Sequence, residues 1–234
     1  MFLIQSLDAY VIKIAHRGAS GYALENTLEA FEKAIAMGCD GIELDVRRCA
    51  SGELVVVHDE SIDRISNETG LVENLTLTQL KNATLKNGES IVTLQEALEY
   101  INGRVFTDIE LKVCGVAHDI VEMINNLIAR GFNHSHFIVS SFIHEELAKV
   151  KTLNENVHIM PLFVAELVDC VGYTKNLKAS YVGMAKEFLS QKLVKDIHNN
   201  GLRIFVYTVN EPVLIDKMKN LGIDGIMSDY PDLI

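Results

Sequence analysis

The chain has 234 residues, 48% of them hydrophobic and 23% charged, with 15 Gly and only 3 Pro; that apolar share can fill a substantial core and excludes a disordered or linker-like polymer. No apolar run approaches the roughly 18 to 20 residues needed to cross a bilayer as a helix, which excludes stable membrane insertion. Thirty-two acidic against 21 basic residues leave a formal charge of -11, a balance that repels polyanions at long range and sets nucleic acid aside as a partner.

A small anionic substrate stays compatible with this charge, because a bound divalent cation reverses the local potential. Cys39, Cys49, Cys114 and Cys170 are far apart with no C-x-x-C pair, the spacing of buried thiols in a reducing compartment. Asp8 and Lys13 interrupt the amino-terminal apolar residues and no small-residue cleavage site follows, so a cytoplasmic start is expected.

In chain order, the first β-rich run spans 11–15 and ends at His16. Arg17, Gly18, Ala19, Ser20 and Gly21 follow, a small-residue loop that could grip a phosphate, although a tight strand-to-helix turn explains its glycines equally well. A helical pattern occupies 27–37, with Asn26 and Glu29 placed as a capping pair. The next strand, 41–46, carries Glu43 and Asp45 two residues apart, hence on one face. A short extra strand at 53–57 ends at His58, and 58–89 is polar and turn-rich, the character of an insertion on a functional face.

Beyond it come a helix at 93–101 and a strand at 105–111, where Asp108, Glu110 and Lys112 alternate with Thr107, Ile109 and Leu111. Strands at 137–140, 157–162, 179–183, 202–207 and 224–227 then alternate with helices at 117–130, 144–153, 189–199 and 213–220 and a weaker one near 164–173. Strict alternation predicts parallel strands joined by right-handed crossovers. Eight main strands at this length suit an α/β fold of the (β/α)8 TIM-barrel type better than an open doubly wound sheet. The whole of 1–234 reads as one domain, with the insertion after the second strand.

Barrel interiors are normally aliphatic, so Glu43 beside Asp45 calls for a compensating cation. If Glu110 joins them, three carboxylates converge at the carboxyl ends of neighbouring strands, a hard oxygen site for one Mg²⁺ or Ca²⁺ ion. Each pair alone is also compatible with a strand-end salt bridge. Lys112 falls beside such an ion, where its ammonium could hold a phosphate oxygen. His16 and His58 each follow a strand, so both imidazoles fall on one rim, able to act as general acid and base near neutral pH. The other six histidines read as surface or core residues.

In series these segments resemble the glycerophosphodiester phosphodiesterase family. The resemblance rests on His16-Arg17-Gly18, Glu25-Asn26-Thr27, Gly41 through Val46, Gly52 through Asp59, Asp63-Arg64, and Thr93-Leu94 with Glu96. It continues through Glu110-Leu111-Lys112, Ser141-Phe142, Tyr207-Thr208-Val209-Asn210 and Gly222 through Ile226 with Asp229 and Pro231. It implies a (β/α) barrel with a small insertion after the second strand. It also implies Glu43, Asp45 and Glu110 as ligands of a divalent cation, His16 and His58 as acid and base, and Arg17 and Lys112 on phosphate. Tyr207, where many members carry Trp, would face the alcohol. The implied enzyme is a phosphoric diester hydrolase acting on a small-molecule glycerophosphodiester such as glycerophosphocholine or glycerophosphoethanolamine, releasing sn-glycerol 3-phosphate and an alcohol.

Two rivals keep the barrel. One is a lysophospholipase D-like enzyme, with Ile62, Ile65, Leu71, Val72, Leu75 and Leu77 lining an acyl groove or, more blandly, packing the insertion onto the barrel. The other is a non-catalytic phosphate-ligand-binding barrel. Departures from the family pattern are Cys49-Ala50-Ser51, Val92 before Thr93-Leu94, and Ser228 before Asp229; none falls on a proposed ligand or histidine. Neither the choice of cation nor the oligomeric state is encoded legibly.

Overall fold

The computed structural model describes residues 10–165 and 167–234. The expectation for the extreme amino terminus, including Asp8, lies outside the described residues. The strands are β1 (Ile12–His16), β2 (Gly41–Arg48), β3 (Leu54–Val56), β4 (Phe106–Leu111), β5 (Phe137–Ser141), β6 (His158–Phe163), β7 (Tyr181–Ala185), β8 (Arg203–Tyr207) and β9 (Gly225–Ser228). The helices are α1 (Leu28–Ala36), α2 (Leu77–Asn82), α3 (Leu94–Ile101), α4 (Ala117–Ala129), α5 (His144–Leu153), α6 (Cys170–Asn176), α7 (Gln191–Asn199) and α8 (Pro212–Leu221).

The sheet runs β1-β9-β8-β7-β6-β5-β4-β2, and β1 pairs with β2 to close it. All pairings around the ring are parallel, while β3 pairs antiparallel with the carboxyl-terminal end of β2, Val46 to Arg48. This is the (β/α)8 TIM barrel, and closure leaves no free parallel edge. Strands buried on both faces read as near-continuous apolar runs, which is why each was visible in sequence.

Inside the barrel, Ile14, Ile138, Met160, Leu162, Phe205 and Met227 pack together, with Phe106 and Tyr181 against them. Gly41 makes room for one of these rings, since a Cβ there would lie 2.3 Å from Phe106 Cζ. Outside, aliphatic faces of the helices meet the outward residues of the strands in two larger clusters. On α1 the inward stripe is Ala30, Phe31 and Ala34, the i, i+1, i+4 spacing of a core-facing helix.

Three local expectations change. The α1 cap is Thr27, whose Oγ1 accepts from Ala30 N at 3.2 Å, and not Asn26. Asn26 has φ 58 and spends its side chain on Asp45. The weak helix expected near 164–173 forms later, as α6, where the Asp169 carboxylate accepts from Gly172 N at 2.7 Å; residue 166 lies outside the described residues. Within the insertion, α2 forms on a Thr76/Gln79 capping box, too short and with too few apolar positions to show a period in sequence.

The insertion is otherwise a set of turns and isolated bridges (Ser61 with Leu71, Ser66 with Leu85, Thr84 with Ser90). Ile62, Ile65, Val72, Leu80 and Leu85 bury against Cys49, Val55 and Val57, with Leu75 and Leu77 partly buried on the same cluster. Only Leu71 of the suggested acyl-groove residues is exposed. The apolar residues of the insertion therefore attach it to β3 and its neighbours.

Candidate active site

Register explains how the carboxylates meet. His16 on β1 is level with Glu43 on β2, Glu43 with Asp108 on β4, and Asp45 with Glu110. Alternate residues share a face, so Glu43, Asp45, Asp108 and Glu110 all project inward near the carboxyl ends of two adjacent strands. One oxygen from each of Glu43, Asp45 and Glu110 lies within 4.8 Å of the others. Seven of the eight residues singled out in sequence line one cavity of about 210 Å³: His16, Arg17, Glu43, His58, Glu110, Lys112 and Tyr207. Asp45, the eighth, is fully buried beside them.

The cluster is short of positive charge. Burial, reinforced by Asp45 and Glu110, pushes the Glu43 carboxyl well above the usual carboxylate range. Burial and Asp45 also raise Glu110, against the pull of Lys112. Asp45 alone is lowered, because Arg17 and Lys112 outweigh its burial. Glu43 Oε1 and Asp45 Oδ1 are buried with no hydrogen-bond partner among the described residues. Buried carboxylate oxygens left without donors are costly, and the three converging carboxylates form a hard oxygen donor set. These residues fit a divalent cation.

Arg17 and Lys112 flank the cluster. Lys112 Nζ lies 2.7 Å from Glu110 Oε1 and 3.4 Å from Asp45 Oδ1. Arg17 Nε lies 3.2 Å from Asp45 Oδ2, its NH1 donates to Glu25 Oε1 at 3.0 Å, and its backbone N–H donates to Glu43 Oε2 at 2.9 Å. The loop reaches this position through a left-handed turn, Arg17 at φ 57 and Gly18 at φ 77. Gly18 is also pressed on α1, where a Cβ would lie 2.7 Å from the Ala30 carbonyl carbon, so no other residue fits there. Both cations also line the cavity.

Each imidazole is backed by a carboxylate. Asp229 Oδ1 lies 2.6 Å from His16 Nδ1, and Asp59 Oδ1 lies 2.7 Å from His58 Nδ1. Burial opposes ionisation of Asp229, yet hydrogen bonds from His16, Asn210 and Ser20 hold it at about 2. Asp59 is also drawn to about 2, chiefly by Arg64. An ionised carboxylate only accepts, so each of these contacts calls for a proton on Nδ1 and leaves Nε2 outside the pair.

Asp229, Asp59 and Asn210 have no role legible in the sequence, and Asn26 reads there only as a helix cap. Asn210 Nδ2 donates to Asp229 Oδ2 at 2.6 Å, and Ser228 Oγ donates to Asn210 Oδ1 at 3.1 Å. Ser228, the last residue of β9, thus sits two hydrogen bonds behind the Asp229–His16 pair. Asn26 Nδ2 donates to Asp45 Oδ2 at 2.9 Å, fixing one carboxylate of the cluster. The signal for Asp59 was its position directly after His58; the others carry no signal beyond their place in the motif series.

Tyr207 meets the cavity with its ring. Its hydroxyl donates to the Phe163 carbonyl at 2.8 Å, and its ring makes an edge contact with Phe142, centroids 6.0 Å apart. Asp108 and Ser140 lie deeper in the same cavity. Both Asp108 oxygens and Ser140 Oγ are buried without hydrogen-bond partners among the described residues, and burial pushes the Asp108 carboxyl up to about 8.

Residues 16–233 match the glycerophosphoryl diester phosphodiesterase family. The chain is 34% identical over 230 residues to a glycerophosphodiester phosphodiesterase of Caldanaerobacter subterraneus subsp. tengcongensis, covering 94% of this chain and 95% of that protein. It is 33% identical to one from Bacillus altitudinis, covering 93% and 94%. Among solved structures, an Oleispira antarctica phosphodiesterase in complex with the product sn-glycerol-3-phosphate superposes with a TM-score of 0.86 at 28% identity, covering 94% of this chain and 93% of that one. A glycerophosphodiester phosphodiesterase from Agrobacterium tumefaciens superposes with a TM-score of 0.81 at 26% identity, covering 96% and 98%.

Proposed function

The chain belongs to the glycerophosphoryl diester phosphodiesterase family and is a glycerophosphodiester phosphodiesterase; on that footing we propose that it cleaves small glycerophosphodiesters, such as glycerophosphocholine and glycerophosphoethanolamine, to sn-glycerol 3-phosphate and the free alcohol. The observation that carries this reading is the convergence of three carboxylates and two carboxylate-backed imidazoles on one cavity. The product held by the Oleispira antarctica relative supports the same substrate class.

In this reading Arg17 and Lys112 bind non-bridging phosphate oxygens and orient the diester. Glu43, Asp45 and Glu110 would hold one divalent cation, Mg²⁺ or Ca²⁺, which when bound supplies neutralisation of the charge that builds on phosphate oxygen. One of His16 and His58 takes a proton from the nucleophile at Nε2, and the other gives one to the leaving alkoxide, each transfer worth on the order of 10² to 10⁴ in rate. Asp229 and Asp59 keep the rings in the required tautomer and orientation. The ring of Tyr207 packs against the alcohol end, its hydroxyl being spent on Phe163.

The whole chain acts as one catalytic domain, with 58–89 as an elaboration that supplies no acyl groove from Ile62, Ile65 or Val72, which are buried. All four cysteines are free thiols, which supports work in the reducing cytoplasm. Among the described residues no helix is long and apolar enough to cross a membrane.

The test is product analysis on glycerophosphocholine. Wild type should release sn-glycerol 3-phosphate and choline, while His16→Ala and His58→Ala should each lose on the order of 10² to 10⁴ in kcat. Full activity in either variant, or faster release of choline from lysophosphatidylcholine, would count against it.

A further inference from the structure

Arg64 belongs to the insertion, far in sequence from β1, yet it joins both halves of the site from behind. Its Nε donates to Asp59 Oδ2 at 2.6 Å, while NH1 and NH2 donate to Glu25 Oε2 and Oε1 at 2.8 and 2.7 Å. Asp59 holds His58 through its other oxygen, Oδ1. Glu25 Oε1 also accepts from Arg17 NH1 at 3.0 Å. One guanidinium therefore clamps the carboxylate behind the His58 imidazole and the carboxylate behind the Arg17 guanidinium.

We propose that Arg64 is a positioning residue through which the insertion sets both the proton-transfer geometry of His58 and the phosphate grip of Arg17. This rests on the roles of His58 and Arg17 given above. An isolated exposed ion pair is worth little, but a planar fork engaging one carboxylate bidentately and a second through Nε fixes direction as well as charge. Lysine offers a single ammonium and cannot bridge the two carboxylates in the same plane. A shift of about 1 Å in a catalytic group costs as much as about 10²-fold in rate, so loosening this clamp is measurable in turnover while the barrel core stays untouched.

The test is a pair of double-mutant cycles on the full-length enzyme with saturating cation and glycerophosphocholine. Arg64→Ala should lower kcat by about tenfold and raise KM several-fold, and Arg64→Lys should restore only part of either. In an Asp59→Asn background, Arg64→Ala should have little further effect on kcat; in a Glu25→Gln background it should have little further effect on KM. Effects that stay fully additive in both backgrounds, or complete rescue by Arg64→Lys, would overturn the proposal. Arg64→Gln provides the same cycles if the alanine variant folds poorly. Wild type inert on glycerophosphocholine would overturn the substrate reading instead. The clamp is then read from calorimetric binding of inorganic phosphate, which Arg64→Ala should weaken several-fold in wild type and leave unchanged in Glu25→Gln; equal weakening in both would overturn it.

Discussion

Asp229 Oδ1 lies 2.6 Å from His16 Nδ1 although 213 residues separate them, so the end of the last barrel strand fixes the imidazole at the end of the first. Barrel closure makes neighbours of β1 and β9, and only closure does.

Asp229→Asn should therefore leave the fold intact and slow the enzyme. An amide can present its donor to Nδ1, favouring the tautomer with the proton on the wrong nitrogen. We expect kcat to fall by on the order of 10²-fold or more with KM little changed, within the 10² to 10⁴ that one positioned acid or base group contributes. Steady-state kinetics on glycerophosphocholine check this, and an unchanged kcat would remove Asp229 from the proton-transfer chain.

Tyr207 offers its ring rather than its hydroxyl. Tyr207→Phe should keep KM within about twofold, since the lost bond to the Phe163 carbonyl is worth about 1 kcal/mol of local stability and contacts no substrate. Tyr207→Ala should raise KM for glycerophosphocholine well beyond that. Equal KM values for the two variants would show that the ring does not contact the alcohol.

Asp108 predicts a pH dependence of stability in the cation-free protein. Its folded pKa, raised from 3.8 to about 8 by burial, means the folded chain keeps a proton that the unfolded chain releases between these values. Stability from this group is thus fully present below about pH 4 and declines as pH rises toward about 8. Thermal melts in chelator should show Tm falling from pH 5 to pH 8, and Asp108→Asn should flatten that slope. A slope unchanged in the variant would mean that Asp108 does not hold the proton.

Much of this was legible in the sequence for a physical reason. Strands covered on both faces must be apolar throughout, so the acidic pairs Glu43/Asp45 and Asp108/Glu110 stood out as violations. His16 and His58 were legible because each ends such a run. Arg64 and Asn210 were not, since in turns and insertions polar residues are ordinary and only three-dimensional proximity separates a clamp from a solvated side chain; nor was Ser228, a single small polar residue at the end of β9. Asn26 misled because an Asn ahead of a helix is a common cap; the cap passed to Thr27 once Asn26 was needed at Asp45. The helix α2 was hidden because six residues make too few turns to declare a period.

The central claim is that Glu43, Asp45 and Glu110 hold a single ion. Calorimetric titration of chelator-treated protein with Mg²⁺ and with Ca²⁺ tests it most directly. At least one of the two should bind at one ion per chain, equally in wild type and His16→Ala, with binding lost or severely weakened in Asp45→Asn and Glu110→Gln. Absence of binding in wild type, or undiminished binding in both carboxylate variants, would contradict the account.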